Sequence, residues 1–266
     1  MKLRILTEKV QKFLINYRRT AIKYILTAAF VILAGFIAFP SVQAVYSASK
    51  RKLPIYCVDT LDKKLSITFD AAWGADDTDT LLRILADNAV KATFFLCGTW
   101  VDKYPEEVKK IHEAGHEIGN HSDTHPDGVK ISAERNQLEI LSVHKKVKNI
   151  LGIDMNLYRP PFGSYNNTVI EAAKGLNYHV IQWDIDSLDW KEYGVRDEID
   201  RVLNHKHLGN GSIILFHNDA KYTPEALDSI IKGLKQKGFE LVPVGELIYK
   251  EDYHMDHEGR QKAEKK

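Results

Sequence analysis

The chain has 266 residues, of which 44% are hydrophobic and 27% are charged, and its formal net charge is +1. This hydrophobic content is enough for a sizeable core, and the length suits one large domain or two small ones. The near-neutral charge and the scattered basic residues in the body of the chain give no support to a nucleic-acid partner. We therefore expect a globular domain that does not bind nucleic acid.

The first 50 residues differ in composition from the rest. Seven basic residues precede a stretch without charge over residues 24–49, whose apolar centre is YILTAAFVILAGFIAF. This pattern predicts a basic cytoplasmic segment over residues 1–23 and a transmembrane helix or signal segment over residues 24–45, with the remaining chain outside the membrane. The sequence Val42-Gln43-Ala44 has the small-residue form of a signal-peptidase site. A single-pass anchor in the cell membrane is therefore expected, with secretion after cleavage near Ala44 as the alternative.

Strands and helices alternate after a linker and a first strand over residues 46–63. Strands are predicted for the apolar or β-branched runs LSITF, KATFFL, HEIGN, NLYRP, YHVIQW, GSIILF and GFELV. Apolar residues at spacings of three and four predict helices over residues 78–88, 105–114, 132–151, 167–176, 196–205 and 224–237. This α/β pattern indicates a parallel sheet, and about seven repeats over residues 64–250 favour a distorted (β/α) barrel, with an open sheet as the alternative. Residues 251–266 are predicted to be a charged, solvated tail.

Two histidines lie four residues apart in the segment GHEIGNHSDTHPDG, residues 115–128. Neutral imidazoles at this spacing can bind one divalent cation, although such pairs also arise by chance on solvated helices. Gly119 and Asn120 precede the pair and Pro126 follows it, which places His121 and His125 in a turn after a short strand. Loops at strand ends are where binding sites are commonly built.

Several other reactive side chains also follow predicted strands. In a barrel of this kind, the carboxyl ends of the strands meet at one rim, where groups distant in sequence converge. The residues in question are Asp70, the pair His121 and His125, Arg159, the carboxylates Asp184, Asp186 and Asp189, and His217. Their position at strand ends favours an enzyme.

A carboxylate, a metal-competent histidine pair, an arginine and a separate histidine together fit the hydrolysis of an acyl group. Asp70 would be the base and His217 the acid; the alternatives are a strand-end cap and a core histidine bonded to the backbone. Arg159 and Asp189 would hold the base ionised and the acid protonated, the alternative being structural ion pairs.

From Lys64 to about Tyr249 the chain resembles the NodB-homology polysaccharide deacetylases, carbohydrate esterase family four. The resemblance rests on five motifs in the order of that family: Thr68-Phe69-Asp70, His121-Ser122-Asp123-Thr124-His125, Arg159-Pro160-Pro161-Phe162-Gly163, Asp186-Ser187-Leu188-Asp189-Trp190 and Leu215-Phe216-His217. It implies that the backbone amide of Phe162 helps to stabilise the oxyanion, and that Trp190 and Leu215 line a pocket for the acetyl methyl group.

The first motif departs from the family pattern at one residue. The resemblance implies an aspartate directly after the base as the third metal ligand, but the chain has Ala71 there. Asp76 or Asp77 could reach back to the ion, the two histidines could bind it with water and substrate, or metal binding could be lost. The implied cofactor is a divalent metal, zinc first, with cobalt or nickel as alternatives.

The resemblance implies an extracytoplasmic, metal-dependent N-deacetylase of an N-acetylated glycan. The variant FDAAWG resembles a subgroup associated with spore-forming bacteria, which favours peptidoglycan as substrate and sporulation as a context. The alternatives are a glycan-binding protein with a degenerate metal site and a hydrolase of another C–N amide bond. Pairing of Cys57 with Cys97 is left open, although a buried free thiol is the expectation for Cys97.

Overall fold

The structure is a computed structural model that describes residues 14, 17–20, 22–33 and 51–264. The chain divides into two units, Met1–Arg51 and Lys52–Lys266. In the first unit, the described residues 17–20 and 22–33 are helical. Nowhere in the described part of the chain is there a helix of the length and apolar character that a membrane crossing requires. Residues 34–45 of the predicted anchor and the predicted cleavage site near Ala44 lie outside the described residues.

The second unit contains a parallel sheet. The strands of this unit are, in chain order, β1 Cys57–Val58, β2 Lys64–Ala71, β3 Thr93–Leu96, β4 Glu117–Asn120, β5 Leu157–Tyr158, β6 His179–Val180, β7 Ile185–Asp186, β8 Ile213–His217, β9 Glu240–Leu241, β10 Tyr253–Met255 and β11 Arg260–Ala263. Seven of them lie side by side in the order β6-β5-β4-β3-β2-β8-β7, all parallel, and β9 pairs with the start of β2. The prediction of an α/β fold with about seven parallel strands is confirmed, and these strands form a half-barrel.

Helices connect the strands. They are α1 Thr78–Asp87, α2 Gly98–Lys103, α3 Pro105–Glu113, α4 Ala133–Leu151, α5 Asn167–Lys174, α6 Val195–Leu203, α7 Thr223–Gln236 and α8 Val244–Leu247. All six predicted helices are present, and their boundaries differ from the predicted ones by at most two residues at either end. Two of them begin at side-chain caps: Ser132 accepts a hydrogen bond from the backbone N–H of Arg135, and Asn166 from that of Val169.

Strand β2 is the longest strand of the sheet, and the candidate base Asp70 lies at its carboxyl end. Seven of its eight residues are buried, because β3 and β8 pair with its two edges and apolar side chains cover both faces. The sequence of β2 alternates: Leu65, Ile67 and Phe69 belong to the main hydrophobic core. The hydroxyls of Ser66 and Thr68 on the other face are buried and donate to the backbone carbonyls of Val242 and Ile214. Asp70 and Ala71 are its last two residues, so the carboxylate lies where the sheet meets the cavity described below.

The C-terminal segment differs from the predicted solvated tail. Strands β10 and β11 pair antiparallel, and β11 pairs in parallel with β1. Gln261 on β11 is fully buried, and its side chain accepts from the N–H of Tyr249 at 2.8 Å and donates to the carbonyl of the same residue at 2.6 Å. The sequence does not predict these strands because most of their residues are polar. Backbone pairing and the buried amide of Gln261 hold them in place.

The two cysteines are buried and free, so Cys57 and Cys97 form no disulfide. Cys97 lies between β3 and α2, where its thiol lies 3.3 Å from the carbonyl oxygen of Asp123. The expectation of a buried free thiol at Cys97 is confirmed.

Candidate active site

A cavity of about 450 Å³ opens at the carboxyl ends of the parallel strands. The residues that line it come from strand ends and from the loops that follow them. They are Asp70, Ala72, Trp73, His121, His125, Phe162, Gly163, Trp183, Asp186, Trp190, Leu215 and His217. Seven of the nine predicted site residues are in this set, and the other two, Arg159 and Asp189, lie behind it. Of the strand-end residues that the sequence argument named, Asp70, His121, His125, Asp186 and His217 line the cavity, and Arg159 and Asp189 bond to two of them. Asp184 does not line it and accepts instead from the Ser212 hydroxyl and the backbone N–H of Ile213.

Asp70 forms a buried ion pair with Arg159. Nη1 of Arg159 donates to Oδ1 of Asp70 at 2.7 Å, and the arginine side chain is fully buried. Burial raises the pKa of the Asp70 carboxyl, but the charge and hydrogen bond of Arg159, with the charge of His217, outweigh burial and leave this pKa below its ordinary value. Asp70 is therefore an ionised carboxylate at neutral pH, as a base requires.

The guanidinium of Arg159 is fixed by several contacts besides the ion pair. Nη1 also donates to the hydroxyl of Thr68 at 2.8 Å, and Nη2 donates to the carbonyl of Gln182 at 3.1 Å. The guanidinium carbon lies 4.1 Å from the centroid of the Phe95 ring. Arg159 is thus held on one face by an aromatic ring and at its edge by oxygen acceptors, a geometry that lysine would not reproduce.

His217 and Asp189 form the second charged pair. Nδ1 of His217 lies 2.8 Å from Oδ1 of Asp189, and the backbone N–H of His217 donates to Oδ2 at 2.6 Å. Because the carboxylate accepts at Nδ1, that nitrogen carries a hydrogen and Nε2 is the nitrogen left for the reaction. Burial lowers the pKa of His217, but the hydrogen bond and charge of Asp189, with the charges of Asp70 and Asp186, outweigh it and raise this pKa above its ordinary value.

His121 and His125 follow β4 in an irregular loop, as the sequence predicts. Nδ1 of His121 lies 2.8 Å from the carbonyl oxygen of Arg159, which can only accept, so Nδ1 is protonated and Nε2 has a free lone pair. The two Nε2 atoms are 3.2 Å apart. Burial, the largest cause, lowers the pKa of both imidazoles, that of His125 to about 4. Both rings are therefore neutral at pH 7, which is the form that binds a metal.

The loop between the two histidines is organised by Glu139 on α4, a residue that the sequence argument missed. Oε2 of this buried carboxylate accepts from the Ser122 hydroxyl at 2.9 Å and from the backbone N–H groups of Asp123 at 3.0 Å and Thr124 at 2.7 Å. Burial raises the pKa of Glu139, but these bonds outweigh burial and lower it. A glutamate within a helix pattern gives no signal of this role, because its partners lie in a loop about 16 residues earlier.

A catalytic zinc on His121 and His125 would usually have a third protein ligand. In the part of the chain that the structure describes, no group of three or more His, Cys, Asp and Glu side chains is placed to hold a metal ion. Oδ2 of Asp77 instead accepts from the backbone N–H of Asp219 at 2.8 Å. Asp77 thus bonds elsewhere in this structure, and a third ligand from Asp76 or Asp77 stays a prediction. The chain offers a two-nitrogen site, one protein ligand short of the usual catalytic zinc.

Aromatic side chains surround the mouth of the cavity. Among the described residues of the second unit, the exposed aromatic side chains are Trp73, Phe162, Trp190 and Tyr193, and the first three line the cavity. Leu215 is buried at its base. Exposed apolar side chains concentrated around one opening indicate a binding surface.

The sequence matches the family model described as polysaccharide deacetylase over residues 58–181. It is 32% identical to the peptidoglycan-N-acetylmuramic acid deacetylase PdaA of Bacillus subtilis over 204 residues, which cover 75% of this chain and 77% of that protein. The chain belongs to the polysaccharide deacetylase family. It is also 34% identical to the uncharacterised B. subtilis protein YlxY over 205 residues, 77% of this chain, and it spans 63% of that relative. The predicted membership of this family of carbon–nitrogen hydrolases is confirmed.

Solved structures of polysaccharide deacetylases share the fold. The peptidoglycan N-acetylglucosamine deacetylase Bc1960, in complex with an N-hydroxybenzamide, is 30% identical with a TM-score of 0.70, and the match covers 74% of this chain and 92% of that one. BA3943 of Bacillus anthracis, described as a pseudoenzyme of carbohydrate esterase family four, is 31% identical with a TM-score of 0.70 over 74% of this chain and 69% of that one. A BA3943 mutant is described as having restored enzymatic activity. Structural relatives of this chain thus include both an enzyme and a pseudoenzyme.

Proposed function

We propose that the chain is an extracytoplasmic, metal-dependent N-deacetylase of an N-acetylated glycan, with peptidoglycan as the substrate. The observation that carries the proposal is that one cavity presents a carboxylate held ionised by Arg159 and an imidazole held protonated by Asp189. A pure binding module has no need of a base and an acid that are tuned in opposite directions. The names of relatives such as PdaA and Bc1960 support peptidoglycan as the polymer.

In this proposal Asp70 accepts a proton from water as the water oxygen attacks the acetamido carbon. His217 donates the proton on Nε2 to the amine nitrogen, and the carbon–nitrogen bond breaks to give acetic acid and the free amine. The proton held by Asp70 restores the charge on His217 through solvent. Each group begins in the protonation state that its partner enforces, so one pH serves both roles.

Other residues would bind and orient the acetamido group. The family resemblance implies the backbone amide of Phe162 as an oxyanion donor, and Phe162 has the left-handed φ of 60° that costs energy in a non-glycine residue. Leu215 and Trp190 line the same cavity and would contact the acetyl methyl group. The exposed faces of the aromatic side chains at its mouth suit the apolar faces of sugar rings.

His121 and His125 are the residues that would hold the metal, zinc first, with cobalt or nickel as alternatives. Bound there, a divalent cation would polarise the carbonyl and lower the pKa of water. A site with two protein ligands is expected to bind its ion weakly, so the protein would be purified with little metal and would gain activity when metal is added.

The second candidate function is that of a glycan-binding cell-wall or sporulation protein with a degenerate metal site. The observation that favours it is Ala71 where the family resemblance implies a metal ligand, together with a structural relative described as a pseudoenzyme. The third, hydrolysis of another amide bond on the same scaffold, is less favoured because export would place the domain at the cell wall.

The experiment is acetate release from peptidoglycan and from chitin oligomers, with and without added zinc or cobalt. His217→Gln is the control, because it removes the proposed acid without touching the histidine pair. Metal-stimulated acetate release that the variant lacks supports the deacetylase. Tight binding of peptidoglycan without acetate release, at any metal concentration, supports the binding protein and overturns the proposal.

The proposed location rests on the charge asymmetry at the N-terminus, where basic residues precede the uncharged stretch over residues 24–49. The domain would then lie outside the cell membrane, anchored by residues 24–45 or released by cleavage near Ala44. Protease added to intact protoplasts should digest an anchored domain and leave a cytoplasmic control protein whole. A domain that resists until the protoplasts are lysed contradicts this location.

A further inference from the structure

The indole of Trp73 lies flat against the imidazole of His217. The ring centroids are 5.0 Å apart and the planes differ by 13°. Trp73 remains 47% exposed and also lines the cavity. The imidazole is therefore covered on one face by Trp73 and is bonded at its Nδ1 edge to Asp189.

The loop that carries Trp73 is fastened by the residue that follows His217. Oδ1 of Asn218 accepts from the backbone N–H of Ala72 at 3.1 Å and of Trp73 at 3.5 Å, and its Nδ2 donates to the carbonyl of Gly74. This carbonyl also accepts from the indole N–H of Trp100 at 2.8 Å. One side chain thus ties the loop after β2 to the end of β8, which fixes Trp73 against His217.

Gly74 leaves room for the carboxylate of Asp219 beside the loop. Its backbone N–H donates to Oδ2 of Asp219 at 3.2 Å, and a Cβ at this position would lie 2.2 Å from the same oxygen. A side chain at residue 74 would displace the Asp219 carboxylate and remove this hydrogen bond. The stacked arrangement is therefore built by the backbone and by two neighbouring polar side chains.

An aromatic face favours the charged form of a cation that lies within about 6 Å of its centroid. The carboxylates of Asp189, Asp70 and Asp186 also favour the protonated His217, against the cost of its burial. Trp73 differs from these carboxylates because it acts on the face of the ring and restricts its rotation. Asp189 fixes one edge of the imidazole, and the indole fixes its plane.

We propose that Trp73 is a positioning residue that holds the plane of the His217 imidazole and stabilises its protonated form. This role rests on the proposed deacetylase function, in which His217 donates a proton from Nε2. Trp73 lies in the variant FDAAWG, but the family resemblance assigns no role to it.

The test is an NMR titration of His217 in the full chain, with the signal assigned by its loss in His217→Gln. The variants are Trp73→Leu, which removes the aromatic face, and Trp73→Phe, which keeps one. Phe162→Leu is the matched control, since Phe162 is an exposed aromatic residue of the same cavity whose ring packs on His125. Thermal unfolding of each variant verifies that it is folded.

We expect Trp73→Leu to lower the pKa of His217 by about half a unit, Trp73→Phe to restore most of that shift, and Phe162→Leu to leave it unchanged. In steady-state kinetics Trp73→Leu should lower kcat several-fold and move the alkaline limb to lower pH. An unchanged pKa in Trp73→Leu, or an equal shift in Phe162→Leu, overturns the proposal. The titration needs no turnover, so a parent that releases no acetate contradicts the proposed function and leaves this test valid.

Discussion

Asp189 binds His217 twice, through the imidazole Nδ1 at 2.8 Å and through the backbone N–H at 2.6 Å. The carboxylate therefore fixes the rotamer of the ring as well as its charge. Asp189 also accepts from the backbone N–H of Trp190 at 2.8 Å, which holds the acceptor itself in place. These bonds make the pair a rigid unit at the edge of the cavity.

Asp189→Asn should slow turnover on the order of 10²–10⁴-fold, the range for loss of a working acid or base. The pKa of His217 lies above its ordinary value in the parent, where the bond and charge of Asp189 oppose burial. Without that charge the pKa falls, so the alkaline limb of kcat/KM should move to lower pH. The pH profiles of the parent and Asp189→Asn test this, with metal content measured in parallel. If the variant loses metal and keeps its alkaline limb, the role assigned to Asp189 is wrong.

Arg159→Met should act on the other limb of the same profile. Removal of the guanidinium leaves Asp70 buried without its principal cation, so the pKa of Asp70 rises and the acid limb of activity should move to higher pH. Loss of one partner of a buried ion pair also costs about 3–5 kcal/mol of the free energy of unfolding. Chemical denaturation measures this cost. Arg159→Lys is the comparison, since it keeps a charge and lacks the planar fork; an acid limb that stays in place in Arg159→Met contradicts the assignment.

Ala71→Asp should tighten metal binding, because it supplies a carboxylate beside Asp70 where the family resemblance implies the third ligand. Ala71 is fully buried among core side chains, so a carboxylate that fails to reach the metal would be a buried unpaired charge and would lower stability by several kcal/mol. Calorimetric zinc titration and the melting temperature with and without zinc separate these outcomes. Ala72→Asp, which places the carboxylate on the cavity wall, is the matched control, and His121→Ala should abolish binding. If Ala71→Asp is as stable as the parent and binds zinc no better, the two-ligand account fails.

Glu139→Gln should weaken metal binding by roughly 10–100-fold, the range for partners that orient a ligand. One amide oxygen cannot replace the carboxylate that accepts from Ser122, Asp123 and Thr124, so the loop between the histidines should loosen. Glu134→Gln, on an exposed position of the same helix, is the control. Equal zinc affinities for the two variants would mean that Glu139 only stabilises the fold.

Glu198→Gln should stabilise the protein at alkaline pH. Burial raises the pKa of Glu198 from 4.5 to about 7 in the folded chain. Between these pH values the unfolded chain loses a proton that the folded chain retains, so the parent loses stability as pH rises through this window. The variant lacks this titration. The free energy of unfolding of Glu198→Gln minus that of the parent should therefore be about 2 kcal/mol larger at pH 8 than at pH 5. Urea denaturation at both values measures it, with the exposed Asp200→Asn as control; a constant difference between the parent and Glu198→Gln contradicts the protonated state.

The sequence predicted the parts of the structure that local patterns encode. Strand β2 and helix α4 were located within a few residues. The first has alternating apolar residues, and the second has an amphipathic repeat that begins at a capping serine. The strand-end rule brought Asp70 and His217 to the same cavity. These features follow from the spacing of apolar residues and from the common direction of parallel strands, and both can be recognised in a single sequence.

The features that the sequence did not predict depend on contacts between residues that are distant in the chain. Glu139 and Trp73 have no local signature, because the first acts on a preceding loop and the second is placed by Asn218, about 145 residues later. Strand β11 was missed because its polar residues resemble a tail. Proximity in sequence to Asp70 does not determine where the following loop turns, and Asp77 accepts from the backbone N–H of Asp219.

The pairing of β1 with β11 joins the beginning and the end of the second unit. Cys57 and Arg260 are partners across about 200 residues of intervening chain, so the pairing of β1 with β11 forms only after the last strand has been synthesised. Contacts of such separation carry a loop-closure cost and slow folding. A nascent chain that ends at residue 250 would leave β1 without this partner. We expect that truncated chain to be cut by protease near residue 57 much faster than the full chain, even though every residue of the cavity is present in both.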